Sequence, residues 1–230
     1  MFTSRRVLTA IALAAALTLG ACSGGSGGDA EKQLAAAADV LANAEAIDFS
    51  ISTTALPSGE KGLLSAEGTA NHSPAFQGEV KAVAGGITIG AEVIATDGKV
   101  WAKTGFSPVF MSLDPERLGA PDPATLVGTK DNPGITGWIT STVEAKVDGK
   151  SRDGKDVYTK ITGTIPGKEV AALLPSAAAD SDFQVVYRLN SDGELHDMKV
   201  TGAFYGSDVD DVTYTLKAKP LSDPVAIEAP

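Results

Sequence analysis

A single cysteine, Cys22, in 230 residues leaves no partner for an intramolecular disulfide. Only two histidines occur, His72 and His196, far apart in the sequence. Without a second cysteine they offer little material for a transition-metal site or for imidazole catalysis, and each is expected as an exposed strand residue. Aromatic residues make up only 6%, so interior positions must be filled by small groups. Positive charge is also scarce. Removing Arg5 and Arg6 from the nineteen basic side chains leaves 17 against 29 acidic ones, a net charge of −12. Such a surface repels phosphate backbones and anionic membranes, which argues against nucleic acid as a partner.

Catalytic signatures are missing or incomplete. Ser58-Gly59-Glu60-Lys61 fits S-x-x-K and Lys103-Thr104-Gly105 fits K-T-G. That chemistry needs its serine to open a helix, whereas Ser58 follows Pro57 in a turn, and the third motif is absent. No G-x-S-x-G elbow occurs, and Gly163 to Lys168 is one residue short of a phosphate-binding loop. Asp208, Asp210 and Asp211 lack the spacing of a calcium loop and read as a solvated turn. No catalytic residue, metal or cofactor is expected.

The one long apolar run is Val7 to Leu19, preceded by Arg5 and Arg6. About thirteen residues are too few to span a bilayer and suit a signal peptide. Leu19-Gly20-Ala21-Cys22 then matches the bacterial lipobox, whose cysteine is acylated and becomes the first mature residue. Two or three acyl chains anchor stably where one is marginal. Expected, then, are a leader over 1–21, a lipidated Cys22 with a glycine-serine tether to residue 28, and attachment to the outer face of the plasma membrane.

What remains is strand-rich. From Gly62 to Lys103 apolar and polar residues alternate with period two: Phe76, Gly78, Val80 and Ala82 oppose Gln77, Glu79 and Lys81. Ile87, Ile89, Ala91 and Val93 continue the pattern, which marks half-buried antiparallel strands. The dry face is small, so helices approach it closely or it leaves room for a ligand. An alanine-rich helix is expected over about 30–46, then five strands, a proline-broken segment over 105–134 suited to a mouth or lid, and five more strands. A short helix over 135–142 carries Ile135, Trp138 and Ile139, and another over 166–174 opens on Pro166. The domain is expected to occupy 29–219, with an aperiodic tail over 220–230.

Gly62-Leu63-Leu64-Ser65-Ala66-Glu67-Gly68, Asp97-Gly98-Lys99-Val100-Trp101-Ala102-Lys103, Leu113-Asp114-Pro115 and Asp153 to Tyr158, in this order behind the lipobox, carry a likeness over nearly the whole chain. The sequence resembles the LppX/LprA/LprF/LprG lipoproteins of mycobacteria and their relatives, most of all the LprG-like branch. That resemblance implies an α+β fold: a curved antiparallel half-barrel of about ten strands, with helices on its concave side enclosing an apolar cavity. It implies a monomeric, non-enzymatic carrier of acylated lipids such as triacylglycerol or phosphatidylinositol-derived glycolipids, moving them across the periplasm. A major-facilitator-type exporter would be its partner.

On strand parity, Leu64, Phe76, Val80, Ala82, Ile87, Ile89, Val93, Val185, Met198 and Val200 are expected to line the cavity. Ile135, Trp138 and Ile139 are expected at its mouth or lid. An envelope interaction protein with a solid core stays open as the alternative, and cavity volume separates the two. A lipid-modifying hydrolase lacks a nucleophile with a base.

Overall fold

The computed structural model describes residues 26–118, 120–128 and 133–230; the expected leader, Cys22 and the first residues of the expected tether lie outside them. Alternating residues separated by tight turns give one antiparallel meander: β1 (Ala46–Ser52), β2 (Gly62–Asn71), β3 (Ala75–Ala84), β4 (Ile87–Thr96), β5 (Lys99–Thr104) and β6 (Ser107–Leu113). A second meander holds β7 (Val143–Asp153), β8 (Asp156–Pro166), β9 (Asp182–Leu189), β10 (Leu195–Gly202) and β11 (Val212–Leu221). One seam joins them. β1 pairs antiparallel with β11, from Ala46 opposite Leu221 to Ser52 opposite Thr215. The product is a single open sheet of eleven strands, with β6 and β7 as its free edges.

The strand beyond the expected ten is β6, which lies inside the proline-broken segment. Pro108 is tolerated there because an edge strand has a side that donates no ladder bonds. Asp148-Gly149, which reads as a turn, lies within β7 at a register shift between Val147 and Lys150. Gly149 has φ 78°, so an extra residue is absorbed as a bulge and not as a hairpin.

Curvature has a local cause. Gly68 and Gly78 oppose each other across β2 and β3. A Cβ on Gly68 would come within 2.2 Å of the Gln77 carbonyl oxygen, and one on Gly78 within 2.1 Å of that of Glu67. Only a pair of glycines lets the two backbones close in this far.

All helices lie on the inner face, where α1 (Ser26–Ala42), α2 (Gly134–Thr140) and α3 (Gly167–Leu173) share one core with the strands. Among the described residues no helix is long and apolar enough to cross a membrane. α1 starts three residues inside the expected tether. It buries Ala30, Leu34, Ala37, Ala38 and Leu41, and their small size lets it sit close on β7. Trp138 of α2 donates Nε1–H to the Glu169 carbonyl at the start of α3, 3.0 Å away, which ties those helices together. The tail is not loose either: Val225 and Ile227 pack with Ile94 and Trp101 on the outer face.

Candidate functional site

The two halves of the inner face are covered differently. Over β7–β11 the three helices complete a close-packed core in which Tyr187, Phe183, Ile161, Met198 and Val200 are fully buried. Among the described residues no α-helix lies over β2–β6. That half is covered by the segment from Asp114 to Gly128, which carries two short 3₁₀ turns, Pro115–Leu118 and Pro123–Thr125. Three prolines in this stretch, Pro115, Pro121 and Pro123, forbid a longer helix, so it crosses the strands as a strap.

Among the described residues, three ties of the strap stand out. Lys61 Nζ donates to the Arg117 carbonyl at 3.2 Å, and Ile135 N–H donates to the Leu126 carbonyl at 2.9 Å. The third tie is His72, in the β2–β3 turn. Its Nδ1 lies 2.9 Å from the Gly128 carbonyl oxygen and its Nε2 3.0 Å from that of Leu41, at the end of α1. A neutral ring can donate to only one of them at a time. His72 is therefore a half-buried clasp, and His196 stacks on Tyr158 at 4.2 Å; neither is the exposed strand residue expected.

Beneath the strap lies a narrow apolar space of about 40 Å³. Leu63, Ala66, Val80, Ala82, Val93 and Val100 form its floor, and Pro115, Pro121, Pro123 and Leu126 its roof. Toward the β3–β4 tip the same inner face continues uncovered: Ile89 is half-buried and Ile87 is 64% exposed. Val80 stands at the boundary, half-buried between Gly78 and Ala82.

The expected lining divides accordingly. Val80, Ala82 and Val93 border the narrow space, and Ile89 and Ile87 continue their row. Phe76 is buried under the far end of the strap region, in the common core. Leu64 is displaced: the register shifts between Leu63 and Ser65, so Leu63 pairs with Ala82 and faces inward in its place. Val185, Met198 and Val200 share the face but are sealed in the solid half, at most 1% exposed. Ile135, Trp138 and Ile139 do not form a mouth. They are at most 1% exposed, because α2 turns its apolar side into the core. The side chains that do cover the floor, Pro115, Pro121, Pro123 and Leu126, fall in the proline-broken segment, and composition showed where that segment is but not which residues point inward.

A family model for the LppX_LprAFG lipoproteins matches residues 29–221. The chain belongs to this family. The structure of LprF from Mycobacterium bovis superposes with a TM-score of 0.66 at 14% identity, covering 90% of this chain and 99% of that one. LppX from Mycobacterium tuberculosis gives 0.61 at 17% identity, covering 87% and 99%. The LppX/LprF fold is thus shared, as a large open antiparallel sheet with helices on one face. No curated protein sequence matches the chain.

Proposed function

We propose that this lipoprotein is a lipid carrier without catalysis, held to the outer face of the plasma membrane by acylated Cys22, and that acyl chains lie against the inner face of β2–β6. The observation that carries this reading is the uncovered apolar half-face, continuous with the space under the strap and lined by small side chains. Exposing a two-chain lipid of about thirty CH₂ groups costs on the order of 20 kcal/mol at roughly 0.8 kcal/mol each. A carrier must match that burial along the whole route. The floor supplies apolar surface, and the strap supplies a cover that hydrogen bonds and proline turns hold without a helix. Triacylglycerol or a phosphatidylinositol-type glycolipid, delivered through the envelope with a major-facilitator-type exporter, fits the role.

A space of about 40 Å³ is far below the several hundred Å³ of a ligand site, so loading requires the strap to move outward. The same volume favours a second reading, an envelope interaction protein with a solid core. Native mass spectrometry of delipidated protein mixed with envelope lipid extract decides between them. The carrier shows bound lipid; an empty spectrum refutes it. Val80→Trp sharpens the test. In a carrier the indole occupies the lipid's place and abolishes loading, and because the closed space is only about 40 Å³ it lowers the melting temperature under either reading. In a solid core it overpacks, at a cost of about 1–3 kcal/mol.

A further inference from the structure

The large apolar side chains left uncovered are not scattered. Among the described residues seven are exposed, and three of them, Ile87, Phe106 and Val109, sit at or beside the β3–β4 and β5–β6 hairpin tips, with Met111 further along β6. β3 and β5 both run toward these tips, so the two lie side by side at one end of the sheet. Phe106 is 90% exposed. The segments around the tips, Ala82 to Ala91 and Thr104 to Leu113, carry no charged side chain, in a protein with 21% charged residues. Turns at the opposite end all differ in this respect from the apolar pair or lack large apolar groups: Asp97, Asp153 with Lys155, and Asp192 occupy three of them.

The anchor leaves from the same end. Successive strands alternate in direction, so β7 begins where β4 begins, and α1 starts beside the first residues of β7, with Gly27 close to the Ala145 carbonyl. Cys22 lies four residues before Ser26, within about 14 Å of it at the chain's maximal reach of ~3.6 Å per residue.

We infer that this end of the sheet rests on the bilayer, with the β3–β4 and β5–β6 tips inserted among the headgroups of zwitterionic phospholipid. This rests on the anchor reading above. Asp208, Asp210 and Asp211, in the β10–β11 loop at the same end, together with the net negative charge, oppose an anionic surface. Phe106 and Ile87 supply apolar tips that enter the boundary by about 5–10 Å, as an interfacial element does. The uncovered inner face then opens toward the leaflet, and a lipid passes onto it without crossing water.

The test uses mature protein isolated from membranes and reconstituted in phosphatidylcholine vesicles brominated in their acyl chains. Phe106→Trp adds an indole at a fully open tip, while Val157→Trp adds one at the start of β8, at the opposite end. Trp101 and Trp138 give the background emission, read from the unaltered protein. The inference expects blue-shifted emission and strong bromine quenching at 106 and none at 157. No quenching at 106, or equal quenching at both positions, overturns it. So does stronger quenching when phosphatidylglycerol is added. A blue shift at 106 without vesicles, together with a dimer in sedimentation, would assign the tips to a second copy of the chain and also overturn it. Intact mass reads the anchor separately. If Cys22 carries no acyl groups, the anchor reading fails, and the same vesicles added to free protein still decide the docking.

Discussion

Two tyrosines of the inner face, Tyr187 and Tyr214, and the half-buried Tyr205 of the β10–β11 loop have hydroxyls bonded within the protein. Tyr187 lies in the core with its hydroxyl 2.7 Å from Thr142 Oγ1, which itself donates to the Trp138 carbonyl at 2.9 Å. Tyr205 and Tyr214 place their hydroxyls 2.7 Å apart, and Tyr214 donates to the Leu63 carbonyl. Burial raises all three pKa values above the ordinary tyrosine value. A raised folded-state pKa contributes stability that is fully present below the unfolded value, about 10, and is lost as pH rises beyond it. Denaturant midpoints should hold level up to about pH 10 and fall steeply above it. Tyr187→Phe should flatten part of that fall while costing about 1 kcal/mol at pH 7 for the lost hydrogen bond. A midpoint that stays constant to pH 11.5 or so would contradict the coupling. Single residues were also where the sequence was least legible. The inward parity of Val80, Ala82 and Val93 follows from Glu79, Lys81 and Glu92 facing outward, since a one-residue slip would bury those charges. Leu63 replaces Leu64 because a register shift resets the parity, and two adjacent leucines carry no mark of it.

Among the elements, the strap has the weakest claim to its place. It is held by a few backbone and side-chain hydrogen bonds and by Leu126, 2% exposed, beside the narrow space. Leu126→Ala should destabilise the protein by about 2–5 kcal/mol, as for a buried leucine. In the carrier it should also speed lipid loading, measured as the rate of appearance of the bound species. Slower loading would mean that the strap guides the lipid. Its far end is less forgiving. A Cβ on Gly134, at φ 54°, would lie 2.5 Å from the Gly128 nitrogen and 2.6 Å from the Leu126 oxygen, so the close approach of the strap to α2 depends on this glycine. The helices and most strands were readable from period and turn chemistry. β6 was hidden by Pro108, and α2 was mistaken for a rim because an amphipathic stripe shows which side is apolar but not what it faces.

For the whole molecule, two similar meanders have unequal cover. Sequence showed their likeness; the inequality arises from where α1, α2 and α3 land, which only tertiary packing decides. Protection should follow cover. In native-state hydrogen exchange, amides of β8–β11 should open only with global unfolding, whereas those of β4–β6 should exchange through smaller openings. Uniform protection across the sheet would contradict this division.

Joining the meanders through β1 and β11 alone has a consequence for how the chain is made. Every other ladder connects strands adjacent in sequence and can form as soon as its hairpin exists. The seam must wait for the last strand, across the 53–211 interval, at a loop-closure cost of about 4–5 kcal/mol. During synthesis β1 therefore holds Ile47, Phe49 and Ile51 along an unpaired edge until nearly the final residues emerge. A truncation before Val212 would leave both β1 and β10 as open templates for aggregation.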